Sequence, residues 1–311
     1  MDNADRNVRK QRAVEQCNKR IALLHKQFPR LAEISDLVRS LALEKLRVNF
    51  IKKDFVRSGQ IDDEVFQLMA EREAILKMNG LTISVYEPDW ECKKCKDDGY
   101  IEPGVLCDCL KQEHINRIFD QSGISEKMRI KTFSNININF YKDPQSVENF
   151  MKKCRKMVSD IEQGSSVENI LLFGNVGRGK THFAMAIANA LLNRGITVIY
   201  KRFNELLDIM REAVNNNIPE DIAHIKTVSL LVIDDLGVEN LTPFKETQLL
   251  SILDDRNFHD KPWIINTNLL LEEIEKRYGS RIADRMLENT IKYELNSEIS
   301  YREFQTRNVK K

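Results

Sequence analysis

Residues 174–181 read GNVGRGKT, which fits the pattern G-x-x-x-x-G-K-[ST] of a phosphate-binding loop. Gly174, Gly177 and Gly179 allow a tight backbone turn that points consecutive N–H groups into one concavity. Such a nest, opening onto a helix N-terminus, binds phosphate oxygens. Lys180 adds positive charge for the β- and γ-phosphates, and the Thr181 hydroxyl is the expected Mg²⁺ ligand. Asn175, Val176, Arg178 and His182 complete the stretch expected to wrap a nucleotide. A chance glycine turn is the alternative, and the flanks argue against it. Before the loop runs NILLF (169–173), short and apolar as a buried parallel strand should be. After it runs HFAMAIANALLN (182–193), rich in helix formers. Gly195 then stands where a helix C-cap glycine is expected.

Working outward from this loop, strand-like and helix-like segments alternate from about residue 131 to the end. Candidate strands are 169–173, 196–200, 229–234, 262–267 and 291–295. The alternation predicts an α/β fold, a parallel sheet covered by helices on both faces. The segment LLVIDD (230–235) is an apolar strand ending in two acids, 54 residues after Lys180. Alone it is a weak signal; paired with the loop at this distance it reads as the second half of an ATP site. Its C-terminal end should emerge beside the loop, at the edge where such sheets bind ligands. Asp234 would hold Mg²⁺, directly or through water, and Asp235 would orient or deprotonate the attacking water. A further strand, PWIINTN (262–268), ends in Asn268, which either reaches the γ-phosphate or water, or simply forms a turn. YGSRIADR (278–285) puts Arg281 and Arg285 four apart on one helix face. They either pair with acids on their own surface or serve a neighbouring subunit, Arg285 reaching its γ-phosphate with Arg281 in support.

Charged residues are 31% of the chain and hydrophobic ones 42%, the balance of a soluble globular protein. No apolar run approaches the roughly 20 residues a membrane helix needs, and MDNADRNVRKQR lacks the apolar core of a signal peptide. A cytoplasmic location with reduced cysteines is therefore expected. A net charge of +1 supplies no global field for nucleic acid. The first 60 residues hold 14 Lys/Arg against 7 Asp/Glu, an excess that suits either an acidic partner or a solvated helix surface. Residues 1–85 carry helical periodicity: Val14, Cys17, Ile21, Leu24 and Phe28, then Ile34, Leu37, Val38 and Leu41. Pro29 and Gly59 predict breaks between helices. Free of phosphate loops and metal spacings, this part reads as a helical docking domain or a plain helical support.

Residues 86–115 change character. ECKKCKDDGYIEPGVLCDCLKQEH holds Cys92, Cys95, Cys107 and Cys109, followed by His114. C-x₂-C with a second close pair is metal-ligand spacing, because tetrahedral Zn²⁺ takes soft ligands from two short knuckles. The second pair is C-x-C, so His114 could replace one of its cysteines. Disulfides are the main alternative, which a reducing compartment disfavours; an iron–sulfur cluster is another. Metal binding would supply much of this small module's folding energy. Residues 116–130 read as a helical linker, and Cys17 and Cys154 as packed thiols.

Together these segments resemble an AAA+ ATPase of the bacterial replicative-helicase loader group. The resemblance runs over 131–311 through GNVGRGKT, LLVIDDLG, IINTNL, YGSRIADRML and the closing Ser300-Tyr301-Arg302. The cysteine stretch, followed by KTFSNININFY, is similar to the DnaI-type loader of Gram-positive bacteria. That resemblance implies a primosomal helicase loader: an ATPase that binds the hexameric replicative helicase and helps load it onto single-stranded DNA. It implies a helicase-gripping helical domain with a zinc site, DNA contact and self-association through the AAA+ module, and ATP, Mg²⁺ and Zn²⁺ as cofactors. By the same resemblance Asn268 is the polar sensor, Arg285 a finger acting in trans and Arg302 a nucleotide-sensing arginine. Thr132 to Tyr141 would lie near the adenine. Two departures stand out. Many AAA+ proteins carry Glu where this chain has Asp235, one methylene shorter, which implies slow turnover. Few residues follow Arg302, so the small helical lid of many AAA+ proteins is not expected, a lack the loader family shares. The closest rival is the ATPase helper of a transposase, of IstB-like type, whose core is similar but which generally lacks a cysteine-rich front end. A small-molecule kinase would need an acceptor pocket and lid that are not seen, and the intact Lys180, Thr181 and Asp234 disfavour a pure adaptor.

Overall fold

The structure, a computed structural model, describes residues 3–52, 54–216, 218–301 and 303. The chain forms two compact units, Met1–Leu110 and Lys111–Lys311.

The first unit opens with helices α1 (Asn3–Gln27), α2 (Pro29–Arg47) and α3 (Phe55–Met78). Pro29 starts α2, where its missing N–H costs nothing. Asp54 caps α3 by accepting from the Arg57 N–H at 3.0 Å. Leu24, Leu31 and Leu76, one from each helix, bury against one another. Cys17 and Ile34 are buried as the periodicity predicts, but Leu37 faces out at 44% exposure. Gly59 does not break the chain: it lies inside α3, with open space where a side chain would sit. The break falls instead at a single π-helical turn, Val48–Lys52. Beyond α3 comes a two-stranded antiparallel hairpin, β1 (Tyr100–Glu102) and β2 (Val105–Leu106). Both strands are exposed, so apolar burial contributes little to this module.

Helix α4 (Asp108–Gln121) runs into the second unit, followed by α5 (Glu126–Arg129) and α6 (Pro144–Glu162). The unit's core then alternates as β3 (Asn169–Phe173), α7 (Lys180–Leu192), β4 (Val198–Arg202), α8 (Phe203–Asn215), α9 (Pro219–Thr227), β5 (Leu230–Leu236), α10 (Pro243–Phe258), β6 (Trp263–Thr267), α11 (Leu271–Leu287) and β7 (Thr290–Glu294). All five strands are parallel, in the order β4-β5-β6-β3-β7. Period-2 alternation sends Ile170 and Leu172 to one face, with α6 and α7, and Leu171 to the other, with α8, α10 and α11. The expected strands are therefore present, displaced by at most two residues.

One expectation needs correction. The linker at 116–130 is no linker: Ile118, Phe119 and Ile124 are buried in the core beside α7. The backbone N–H of Tyr200 in β4 donates to the Ser122 carbonyl at 2.8 Å, so this stretch lies along the sheet edge. Ile115, Ile118 and Phe119, at i, i+3 and i+4, were the sequence signal for this buried face. In the sheet β6 lies between β3 and β5. The crossover therefore brings Asn266 and Asn268 between the phosphate loop and the acids.

Candidate functional site

The loop at 174–181 joins β3 to α7 at the C-terminal edge of the sheet. Its glycines have φ of 111°, 76° and 90° at 174, 177 and 179, values that favour glycine. Space is equally decisive at two of them. A Cβ on Gly179 would meet the Tyr141 hydroxyl at 2.5 Å, and one on Gly177 would meet Ser300 Cβ at 2.9 Å. The chain returns to the loop after β7. The Tyr301 N–H donates to the Gly177 carbonyl at 2.9 Å. Arg178 donates to Ser297 Oγ at 2.7 Å and to the Ile299 carbonyl, so its guanidinium braces the loop from this returning segment.

Lys180 is buried and donates to the Gly174 carbonyl (2.6 Å), the Asn175 carbonyl (2.9 Å) and Asn268 Oδ1 (2.8 Å). Burial pulls the ammonium down to about 8, against smaller opposing effects of Asp234 and Asp235. These three acceptors are carbonyl and amide oxygens, not carboxylates, and an ammonium so placed is matched to an anion. Asp234 is buried at the end of β5, where Thr181 donates to it at 3.1 Å. The next residue, Asp235, adopts φ 55° where the β5–β6 register shifts, which turns its exposed side chain outward from the strand. Desolvation, then the neighbouring Asp234 carboxylate, raises the Asp235 pKa.

These groups share one cavity of about 830 Å³. Val176, Gly177, Arg178, Gly179, Lys180, Thr181, His182, Asp234, Asp235 and Asn268 all line it. His182 turns its ring to the Thr132 carbonyl at 3.1 Å, which ties the cavity's upper wall to α7. Burial lowers its pKa, so it holds that wall as a neutral ring. That wall includes Asn135, Asn137 and Tyr141 from the expected adenine stretch, and Gly123, Ser125 and Met128 from the supposed linker. The Thr181 hydroxyl and Asp234 carboxylate form a hard-oxygen pair at the cavity floor, the donor set that suits Mg²⁺.

The four cysteines of the first unit converge. Their sulfurs all lie within 4.8 Å of one another, with Cys92–Cys107 at 3.7 Å and Cys95–Cys109 at 3.4 Å. Tetrahedral Zn²⁺ with Zn–S of about 2.3 Å requires S···S of roughly 3.8 Å, so the set fits the ion. Lys96 and Asp97 take positive φ to close the first knuckle, and Asp97 accepts from the Cys92 N–H at 2.8 Å. Backbone hydrogen bonding by Cys95 leads the effects that bring the Cys92 thiol down to about 7. His114 is exposed and outside the group, because Cys109 in the first turn of α4 already completes it.

A family model described as "IstB-like ATP binding protein" matches residues 105–308. The chain belongs to this family. Among curated relatives, the replicative helicase loader DnaC of Escherichia coli K12 is 28% identical over 194 residues, 61% of this chain and 77% of that one. Phage-like element PBSX protein XkdC of Bacillus subtilis is 26% identical over 214 residues, 63% of this chain and 79% of that one. The crystal structure of DnaI overlays 57% of this chain and 93% of its own, with 22% identity and a TM-score of 0.48.

In this IstB-like ATP-binding protein Arg281 and Arg285 stand apart from the cavity lining. Arg285 on α11 donates to Asp254 at 2.6 Å and Glu288 at 3.3 Å, and its half-exposed guanidinium is raised by Asp254 first. Arg281 is exposed on the same helix. Gly279, at φ 77° and ψ 160°, kinks α11 just before them. Arg302 lies outside the described residues. Two residues that hydrogen bond to Asp234 were missed by sequence reasoning: Tyr200 and Asn266. Asn266 had a signal, since a polar residue inside the apolar run WIINT requires a buried partner.

Proposed function

We propose that this chain is an ATP-hydrolysing loader of a hexameric replicative DNA helicase. The observation that carries the ATPase half is the convergence of Lys180, Thr181, Asp234, Asp235 and Asn268 on one cavity at the C-terminal edge of a parallel sheet. The loop N–H groups and Lys180 bind the β- and γ-phosphates of ATP. Thr181 and Asp234 hold Mg²⁺, which when bound neutralises charge on those phosphates. Asp235 orients the attacking water, and its short side chain keeps turnover slow. Asn268, already hydrogen bonded to Lys180, reports the γ-phosphate. Arg285 leaves Asp254 to act on the nucleotide of a neighbouring copy, supported by Arg281, and Arg302 is a nucleotide-sensing arginine.

The loader half is supported by the relatives named DnaC and by the front end. The helical domain at 1–85 docks the helicase, and the 86–115 module holds one structural Zn²⁺ on Cys92, Cys95, Cys107 and Cys109. The AAA+ module binds single-stranded DNA and assembles with its own copies, in the cytoplasm. No described helix is long and apolar enough to cross a membrane. Membership of the IstB-like family favours a second reading, the ATPase helper of a transposase. Size-exclusion chromatography with light scattering on the full chain separates the two. A stoichiometric complex with the helicase hexamer, altered by ATP, supports the loader, and association with a transposase alone overturns it. Elemental analysis of chain purified without chelator should give one Zn²⁺; none would remove the zinc assignment.

A further inference from the structure

Asp234 sits between two neighbouring strands, and each sends it one donor. From β4, the Tyr200 hydroxyl donates to Asp234 Oδ2 at 2.7 Å. From β6, Asn266 Nδ2 donates to Oδ1 at 2.9 Å. The Asp235 N–H adds a bond to Oδ1 at 3.0 Å. The χ2 torsion of an aspartate is broad, so a carboxylate held on one oxygen can rotate its plane. Held on both oxygens from opposite sides, it cannot. The two donors are themselves fixed. Asn266 is buried within β6. Tyr200 is buried, its N–H is bonded to Ser122, and its carbonyl would lie 2.7 Å from a Cβ on Gly123. The glycine thus lets the 122–123 backbone close down on the strand that carries the tyrosine.

We infer that Tyr200, with Asn266 as its opposite jaw, is a positioning residue that sets the plane of the Asp234 carboxylate for Mg²⁺. The inference rests on the reading of Asp234 as the Mg²⁺ residue. Mg²⁺ demands near-ideal octahedral geometry, whereas Ca²⁺ accepts flexible coordination. Loss of the clamp therefore weakens Mg²⁺ more than Ca²⁺. Thr181 is left free to turn its hydroxyl to the metal, because Asp234 keeps one donor on each oxygen without it.

The test is binding of a fluorescent ATP analogue to the full chain, titrated with Mg²⁺ and separately with Ca²⁺. Tyr200→Phe removes only the hydroxyl. Metal-free nucleotide binding should stay within about twofold while the Mg²⁺ midpoint rises about tenfold, as expected for a lost charge-assisted bond. The Ca²⁺ midpoint should move less. Asn266→Leu removes the other jaw and should shift Mg²⁺ in the same direction, which keeps the test open if one variant folds poorly. An unchanged Mg²⁺ midpoint in both variants overturns the inference. So does equal loss of metal-free, Mg²⁺ and Ca²⁺ binding, which marks a purely structural pair. Asp234→Asn tells the two failures apart. If it moves the Mg²⁺ midpoint while Tyr200→Phe does not, only the clamp fails. If Asp234→Asn leaves the midpoint unmoved, the Mg²⁺ assignment fails and the clamp with it.

Discussion

The two ends of the sheet each bury a cation, and they use it in opposite ways. At the N-terminal edge Arg256 is fully buried and donates to the carbonyls of Ile225 (3.0 Å), Lys226 (3.2 Å), Val228 (3.0 Å) and Pro262 (2.6 Å). At the C-terminal edge Lys180 meets two carbonyls and an amide oxygen. Burial depresses both, Arg256 to about 9 and Lys180 to about 8. The difference lies in what the acceptors belong to. The Arg256 carbonyls belong to α9, its end and the residues entering β5 and β6, so the guanidinium ties those segments together. The Lys180 acceptors belong to its own loop and to Asn268, beside an acidic cavity floor. On the proposed reading, similar chemistry is thus a staple at one edge and a phosphate-binding group at the other. A buried charge alone does not mark a function.

That contrast can be broken by exchanging effects between the edges. Arg256→Met strands four buried carbonyls and should cost about 4 kcal/mol in denaturant unfolding of the second unit. ATP affinity of the folded fraction should be unchanged. Lys180→Ala should do the reverse: binding of ATP, followed by calorimetry, falls at least about a hundredfold while stability moves by no more than about 1 kcal/mol. If Lys180→Ala unfolds the unit, or Arg256→Met abolishes binding in folded protein, the two roles have been assigned to the wrong ends.

The pH dependence sharpens the same point. Lys180 attracts phosphate only when protonated, and its folded-state value near 8 lies below that of a free lysine. Charged at pH 7 and mostly neutral at pH 9, it should let ATP affinity fall about tenfold across that window, with proton uptake on binding at pH 9. Affinity that is flat from pH 7 to 9 would place the ammonium in an ordinary solvated state. The smallest effect concerns the loop's brace. Gly177→Ala forces a side chain at φ 76° against Ser300 and should cost about 1 kcal/mol in a thermal melt. No loss would mean that the returning segment yields easily.

Much of this site was legible as motifs because each carries its chemistry in a short window. GNVGRGKT and the Asp-Asp after an apolar strand predicted the loop and both acids, and C-x₂-C followed by C-x-C predicted the sulfur cluster. What was not legible depends on long-range packing. Strand order decided that Asn266 and Asn268 fall between the loop and the acids, and no local pattern encodes that order. Tyr200 reads as an ordinary strand aromatic until β4 is set beside β5. Ile118 and Phe119 gain a core only when α4 packs on the sheet, and Gly59 is carried inside α3 by the helix around it. His114 looked interchangeable with a cysteine because spacing alone does not show that a C-x-C pair can aim both sulfurs at one point.

On the proposed function, the C-terminal edge hydrolyses ATP with Asp235 directing the water. Asp235→Asn keeps the size of the side chain and removes its charge, so the decisive measurement is phosphate release beside ATP binding on the same preparation of full chain. ATP binding should equal that of wild type and phosphate release should fall to background. Phosphate release at the wild-type rate would contradict this role of Asp235.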